Sequence, residues 1–73
     1  MFRNEIRLDT ITDINELVNI ASSIEGRVTI EDGNGHCVNA KSLLGVIYAS
    51  GEFEHKYIVS EKDISYTILR FIV

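Results

Sequence analysis

The stretch VNAKSLLGVIYASG, residues 38 to 51, decides how the fold of this chain is interpreted. A strand-like run ends at Lys41, and Ser42 stands directly before a compact apolar segment. Serine is favoured at the start of helices, because its side-chain oxygen accepts a hydrogen bond from an otherwise unpaired amide of the first turn. The pattern therefore predicts a short helix from about Leu43 to Ala49, ended by Gly51.

The residues before this segment show a strand pattern followed by a helix pattern. Residues 2 to 8 alternate apolar and charged side chains, as in a half-buried strand. Asp13, followed three residues later by Glu16, resembles the capping box that begins a helix. Apolar residues at helical spacing then predict a helix from about Asp13 to Glu25, with Gly26 as its stop.

A hairpin is predicted next. Residues 27 to 31 and 36 to 40 read as strands, and Asp32-Gly33-Asn34-Gly35 between them offers two turn dipeptides. The same four residues could suggest a calcium loop, but they lack its downstream glutamate and its spacing. The turn explains them without a metal ion.

The last part of the chain predicts a strand at residues 56 to 59 and a final helix. Ser60 with Asp63 would begin this helix, and its apolar side chains would be Ile64, Ile68, Phe71 and Ile72. The element order is then βαββαβα. Such an order predicts an α+β domain whose sheet is covered on one face by helices.

Composition limits the classes of function. The chain has 73 residues, 45% hydrophobic and 25% charged, which predicts one small globular domain over residues 1–73. A domain of this size has little room for an enclosed pocket, so recognition through a flat surface is expected rather than catalysis. Cys37 is the only cysteine and no Cys/His spacing of a zinc site is present, so no disulfide, metal or cofactor is expected.

Charge and hydropathy point away from nucleic acids and membranes. The net charge is -4 and no basic cluster is present, whereas binding to nucleic acid depends on Lys and Arg that neutralise phosphates. Residues 1 to 10 interleave charged and apolar side chains, unlike a secretory signal. No apolar run approaches the roughly 18 residues of a membrane span. The expected location is the cytoplasm.

The segment Val38 to Val46, VNAKSLLGV, resembles the region around the regulatory serine of HPr proteins, the phosphocarriers of the bacterial sugar phosphotransferase system. The element order and the spacing between Asn19-Ile20-Ala21-Ser22 and Val28-Thr29-Ile30 are also similar to that family. The resemblance covers most of the chain. It implies an HPr-like open-faced β-sandwich with a four-stranded antiparallel sheet.

The resemblance also shows what this chain lacks. The family's active histidine lies in a Gly-x-His-Ala-Arg-Pro-Ala motif at the start of the first helix, where the helix amides stabilise a phosphoryl group. Residues 9 to 14 read DTITDI instead, so Thr10 and Thr12 stand where the histidine would be. A threonine without a neighbouring base does not replace an imidazole nucleophile. The chain is therefore expected not to be an enzyme and not to carry phosphoryl groups on histidine.

Two histidines remain as alternatives for a phosphocarrier that uses a non-standard residue. His36 falls at the hairpin and His55 in the loop before the last strand. A histidine needs positioned partners to act in catalysis, and neither stands at a predicted helix start. Both are interpreted as solvent-facing residues of turns.

The resemblance implies a regulatory role for Ser42, which the family's kinase phosphorylates to create a form that binds a transcriptional regulator. A plain helix cap explains Ser42 equally well, and the two roles are compatible. The family's docking patch corresponds here to Leu43, Leu44 and Ile47, with Lys41 beside it. A short helix has one buried stripe, so not all of its apolar residues can face inward.

These observations predict a regulatory protein-binding module, similar to the catabolite-repression HPr-like proteins, which keep the serine and lack the histidine. The expected partners are proteins: HPr kinase/phosphorylase, a catabolite control regulator or an enzyme I-like protein. Two alternatives stay open. One is a working phosphocarrier, and the other is a small α+β regulatory domain that binds a ligand.

Overall fold

The computed structural model describes all residues from 1 to 73. Its elements, in chain order, are β1 (Phe2–Ile6), α1 (Ile11–Ser23), β2 (Val28–Glu31), β3 (Cys37–Asn39), α2 (Leu43–Glu52), β4 (Lys56–Ser60) and a 3-10 turn at Leu69–Phe71. The four strands form one antiparallel sheet in the order β1-β4-β2-β3. The α+β class and the antiparallel sheet predicted from the sequence are confirmed.

Alternation along β2 gives the middle of the sheet one apolar face. Val28 and Ile30 of β2 are buried together with Ile58 of the neighbouring β4, whereas Thr29 and Glu31, which alternate with Val28 and Ile30, are only half-buried. This is the period-two pattern of a sheet that packs on one side only. The buried face meets both helices in a single hydrophobic cluster.

The helices contribute narrow apolar stripes to this cluster. Leu17 and Ala21 of α1 and Val46 and Ala49 of α2 have no solvent-exposed surface. Full burial of a large aliphatic side chain contributes about 1.5–3 kcal/mol, so these positions provide much of the stability of so small a domain. The rest of the α2 surface is left outside the core.

The start of α1 differs from the prediction by one turn. Thr10, not Asp13, is the N-cap residue, and its side chain accepts a hydrogen bond from the backbone amide of Asp13. The Asp13 carboxylate in turn accepts from the amide of Thr10, which completes a capping box. Threonine and aspartate at this three-residue spacing satisfy two unpaired amides, so the helix begins at Ile11.

The end of α2 also differs. Gly51 was predicted to end the helix, but α2 continues through Glu52 and has its C-cap at Phe53. The buried ring of Phe53 follows Val46 and Ala49 on the core stripe, so packing favours another turn of helix. Burial of Phe53 outweighs the modest helix-breaking tendency of one glycine.

The predicted final helix is wrong. Only the 3-10 turn at Leu69–Phe71 is helical in this region, and Ser60 is the last residue of β4 rather than a helix start. The segment turns back along the free edge of β1, where the amide of Arg7 donates to the carbonyl of Phe71 and the amide of Val73 donates to Glu5. A continuous helix would keep its amides internal and leave this edge unpaired.

Candidate functional site

Ser42 occupies the N-cap of α2, as predicted. Its backbone is extended, and its Oγ accepts a hydrogen bond from the amide of Gly45 at 3.2 Å. The residue is partly exposed. The first turn of α2 contains no acidic side chain. The hydroxyl therefore lies at the positive end of the helix, in a place where a negative group would meet free amides and no carboxylate of its own helix.

The Lys41 side chain points away from the Ser42 hydroxyl and toward the end of α1. Its Nζ donates a hydrogen bond to the carbonyl oxygen of Ile24, the C-cap residue of α1, at 2.7 Å. Its backbone amide is bound by Oδ1 of Asn39. Lys41 therefore fastens the segment before α2 to the end of α1, and its ammonium group is not directed at the Ser42 hydroxyl.

The outer side of α2 is apolar. Leu44 is 79% exposed, and Leu43 and Ile47 are 43% and 41% exposed. Tyr48 is also exposed and completes the group. We call these four residues, Leu43, Leu44, Ile47 and Tyr48, the α2 face. Helical spacing places Leu44 beside Tyr48 and Leu43 beside Ile47, so the four side chains form two adjacent rows.

The sequence did not assign Tyr48 to this surface. It lies four residues after Leu44, so its place follows from helical spacing alone once the buried stripe is known. Its ring also packs edge-on against the ring of Phe53, with the ring centres 6.1 Å apart. This contact holds Tyr48 in place at the end of the α2 face.

The start of α1 holds Thr10 and Thr12, where the sequence resemblance would place a histidine. Thr10 is used as the helix cap, and Thr12 is exposed in the first turn. The Asp13 carboxylate fills the space that an anion would need, since it accepts from the amides of Asp9 and Thr10. The amide hydrogen bond from Asp9 and then the side-chain hydrogen bond from Arg70 lower the pKa of Asp13, so this carboxylate stays ionised.

The two histidines are exposed and bind other carboxylates. The Nδ1 atom of His36 lies 2.7 Å from Asp32, within the hairpin. The Nδ1 atom of His55 lies 3.1 Å from Glu5 of β1. Neither ring forms a hydrogen bond with a residue at the start of α1. This geometry agrees with the interpretation of both histidines as residues of turns.

Asp32 organises the hairpin turn. Its Oδ1 accepts hydrogen bonds from the amides of Asn34 and His36. Partial burial opposes its ionisation, but the hydrogen bonds from Asn34 and His36 outweigh that effect and lower the pKa of Asp32.

No group of three His, Cys, Asp or Glu side chains is placed to hold a metal ion. Neither helix has both the length and the apolar character to cross a bilayer.

The chain was also compared with known proteins. Comparisons with protein-family models, with curated proteins and with solved structures find no significant match.

Proposed function

We propose that this chain is a protein-binding regulatory module of the HPr type, which binds its partners through the α2 face and is regulated by phosphorylation of Ser42. The observation that carries the proposal is the exposure of four large apolar side chains directly after a helix-capping hydroxyl. The βαββαβ order of the chain and its four-stranded antiparallel sheet are compatible with the HPr-like sandwich that the sequence resemblance implies.

The α2 face supports a docking role on energetic grounds. Contiguous apolar surface on a small protein marks a site of interaction, because it costs free energy in water and gains about 25 cal/mol per Å² when covered. Val46 and Ala49 already supply the core contact of α2, and Leu44, which is 79% exposed, adds little to it. A flat apolar surface of this kind suits another protein better than a small molecule.

Ser42 supports a regulatory role on electrostatic grounds. A phosphate on its Oγ would lie beside the free amides of α2, which stabilise negative charge. Phosphorylation would therefore lower the free energy of unfolding only slightly. The same phosphate would stand at the edge of the α2 face, so that a docked partner would meet it directly.

In this proposal the chain acts in regulation and does not transfer phosphoryl groups through a histidine. The helix start that holds the imidazole in the HPr family is closed here by the Asp13 carboxylate and Thr10. The partners that the proposal names are HPr kinase/phosphorylase, which would modify Ser42, and a catabolite control regulator or an enzyme I-like protein, which would dock. The proposal therefore places the chain in the cytoplasm with them.

The test is a pair of phosphorylation assays on one preparation. Incubation with HPr kinase and ATP should add one phosphate by mass spectrometry, and Ser42→Ala should abolish it. Ser22→Ala, which removes an exposed hydroxyl from α1, is the matched control and should leave incorporation unchanged. Failure to modify the wild-type chain would rule out the switch. An acid-labile phosphate after incubation with phosphoenolpyruvate and enzyme I would favour the phosphocarrier alternative.

A further inference from the structure

The basic side chains on the helical side of the molecule come from outside the two helices. Neither α1 nor α2 contains a lysine or an arginine. The chain has seven such residues. Five of them already have partners: Lys41 and Lys56 donate to the backbone carbonyls of the C-cap residues of α1 and α2, Arg70 pairs with carboxylates of α1, Arg7 pairs with Asp9, and Arg3 stacks on Tyr57. The other two, Arg27 and Lys62, lie in loops.

Two carboxylates stand free at and just beyond the carboxyl end of α2. Glu52, the last residue of α2, and Glu54, two residues later, are both exposed and form neither an ion pair nor a hydrogen bond. Glu52 continues the row of Leu44 and Tyr48 by helical spacing. Together with Tyr48, Phe53, Asp32 and His36 it lines one shallow depression, in which the Nδ1 atom of His36 is bound to Asp32 and not to Glu52.

Glu52 is locally unfavourable. The carboxyl end of a helix is its negative end, so an acidic residue there reduces the stability of the helix and a basic residue increases it. The last turn of α2 contains no basic residue. Lys56 lies close by, but its Nζ is bound to the carbonyl of Phe53 at 2.9 Å and it pairs with neither glutamate. Stability of the isolated fold does not account for Glu52.

We infer that the partner of the α2 face is a protein surface that places lysine or arginine next to an apolar anchor, so that its basic groups meet Glu52 and Glu54. The inference rests on the proposed docking function. It specifies the chemistry of the partner, because complementary charge at the rim of an apolar contact selects partners and speeds association. Phosphorylation of Ser42 would add negative charge at the other end of the face, about 15 Å away along a helix of this length.

The experiment uses two synthetic amphipathic helical peptides as probes. Both carry the same leucine stripe at i, i+3, i+4 and i+7 spacing, and they differ only in having lysines or glutamates at both ends. Each is titrated into the isotope-labelled full chain, and amide chemical shifts locate the site. The lysine peptide should shift Leu43, Leu44, Ile47 and Tyr48 and bind roughly three- to tenfold more tightly than the glutamate peptide. The ratio should approach one at about 1 M salt, where the Debye length is about 3 Å.

Charge reversal provides the matched control. Glu52→Lys with Glu54→Lys should remove or invert the preference, while Glu31→Lys on the opposite face of the sheet should leave it unchanged. Equal binding of the two peptides at the α2 face would overturn the inference and leave the docking function standing. Absence of shifts at that face with either peptide would overturn both. Concentration-dependent broadening of the face without peptide would assign it to a second copy of this chain and also overturn the inference.

Discussion

The Arg70 guanidinium lies 2.8 Å from Oδ1 of Asp13, although the two residues are 57 positions apart in the sequence. Its Nη2 atom also lies 2.7 Å from Oε2 of Glu16, and the group stacks over the ring of Phe71. One arginine therefore joins the irregular C-terminal segment to the capping box of α1. The hydrogen bonds to Asp13 and Glu16 raise the pKa of Arg70, while the amide of Asp9 and then the Arg70 side chain lower the pKa of Asp13.

Replacement of Arg70 should weaken this connection in a salt-dependent way. Arg70→Gln keeps much of the side-chain length and removes the charge, so we expect a lower urea midpoint of unfolding in dilute buffer. The difference from wild type should shrink at about 1 M salt, because exposed ion pairs are screened there. Lys62→Gln, which removes an exposed lysine without an ion pair, should change the midpoint much less. Equal losses for the two variants at every salt concentration would contradict the connection.

Asp13 should make the fold sensitive to acid. Its pKa is below the ordinary value of 3.8, so the native state binds its proton less readily than the unfolded state. The resulting stabilisation is complete at pH values above about 3.8 and is lost as the pH falls below that value and through the lower native pKa. Urea unfolding between about pH 6 and about pH 2.5 should show a smaller acid loss for Asp13→Asn than for wild type. Asp32 and Asp63, whose pKa values are also lowered, should account for part of the remaining slope.

The sequence predicted those parts of the fold that depend on residues close together in the chain, and it failed where the contacts join distant parts of the chain. The strands and the capped start of α2 depend on alternation and on hydrogen bonds within three residues, so local patterns located them. The prediction of a final helix failed because the C-terminal residues pair with β1, which is more than 60 positions earlier in the chain. A local pattern contains no information about that edge. The Arg70 contact to Asp13 was invisible for the same reason.

In the candidate site, too, the features set by local sequence were predicted and a tertiary contact was not. Some exposed apolar surface on α2 was expected, because a short helix buries only one stripe, but the sequence did not show which of its apolar residues would be exposed. The structure places Val46 and Ala49 in the buried stripe and leaves Leu43, Leu44 and Ile47 exposed. Lys41 was expected beside Ser42 from its position in the sequence. Its bond to Ile24 is a tertiary contact, and it directs the ammonium group to the end of α1 instead.

Two glycines should respond to alanine in opposite directions. Gly26 has a φ of +90°, and a Cβ there would lie 2.7 Å from Oε1 of Glu61, which accepts a hydrogen bond from the amide of Arg27. Gly26→Ala should cost at least about 1–2 kcal/mol. Gly51 lies inside α2 with open space around it, so Gly51→Ala should stabilise the fold by up to about 1 kcal/mol. Destabilisation by Gly51→Ala in urea unfolding would mean that α2 ends before this residue.

The capping role of Ser42 predicts a specific order of stabilities. Ser42→Ala removes the acceptor for the amide of Gly45 and should cost about 1 kcal/mol, whereas Ser42→Asp keeps an acceptor and should be close to neutral. Ser50→Ala, inside α2 and without a side-chain hydrogen bond, should be neutral or slightly stabilising. Urea unfolding of the three variants measures the order. A loss for Ser42→Asp as large as that for Ser42→Ala would show that negative charge is not tolerated at this cap, which would weaken the proposed switch.

The two sides of α2 should separate stability from binding. Val46 is completely buried, and Val46→Ala should cost about 2 kcal/mol because it removes apolar contacts and leaves a cavity. Leu44 is 79% exposed, so Leu44→Ala should change the free energy of unfolding by no more than about 0.5 kcal/mol. In titrations with the lysine-ended peptide the order should reverse, with Leu44→Ala weakening binding and Val46→Ala retaining it under conditions where it is folded. Unchanged binding by Leu44→Ala would remove the α2 face from the docking site, because no other residue of that helix is as exposed and as apolar.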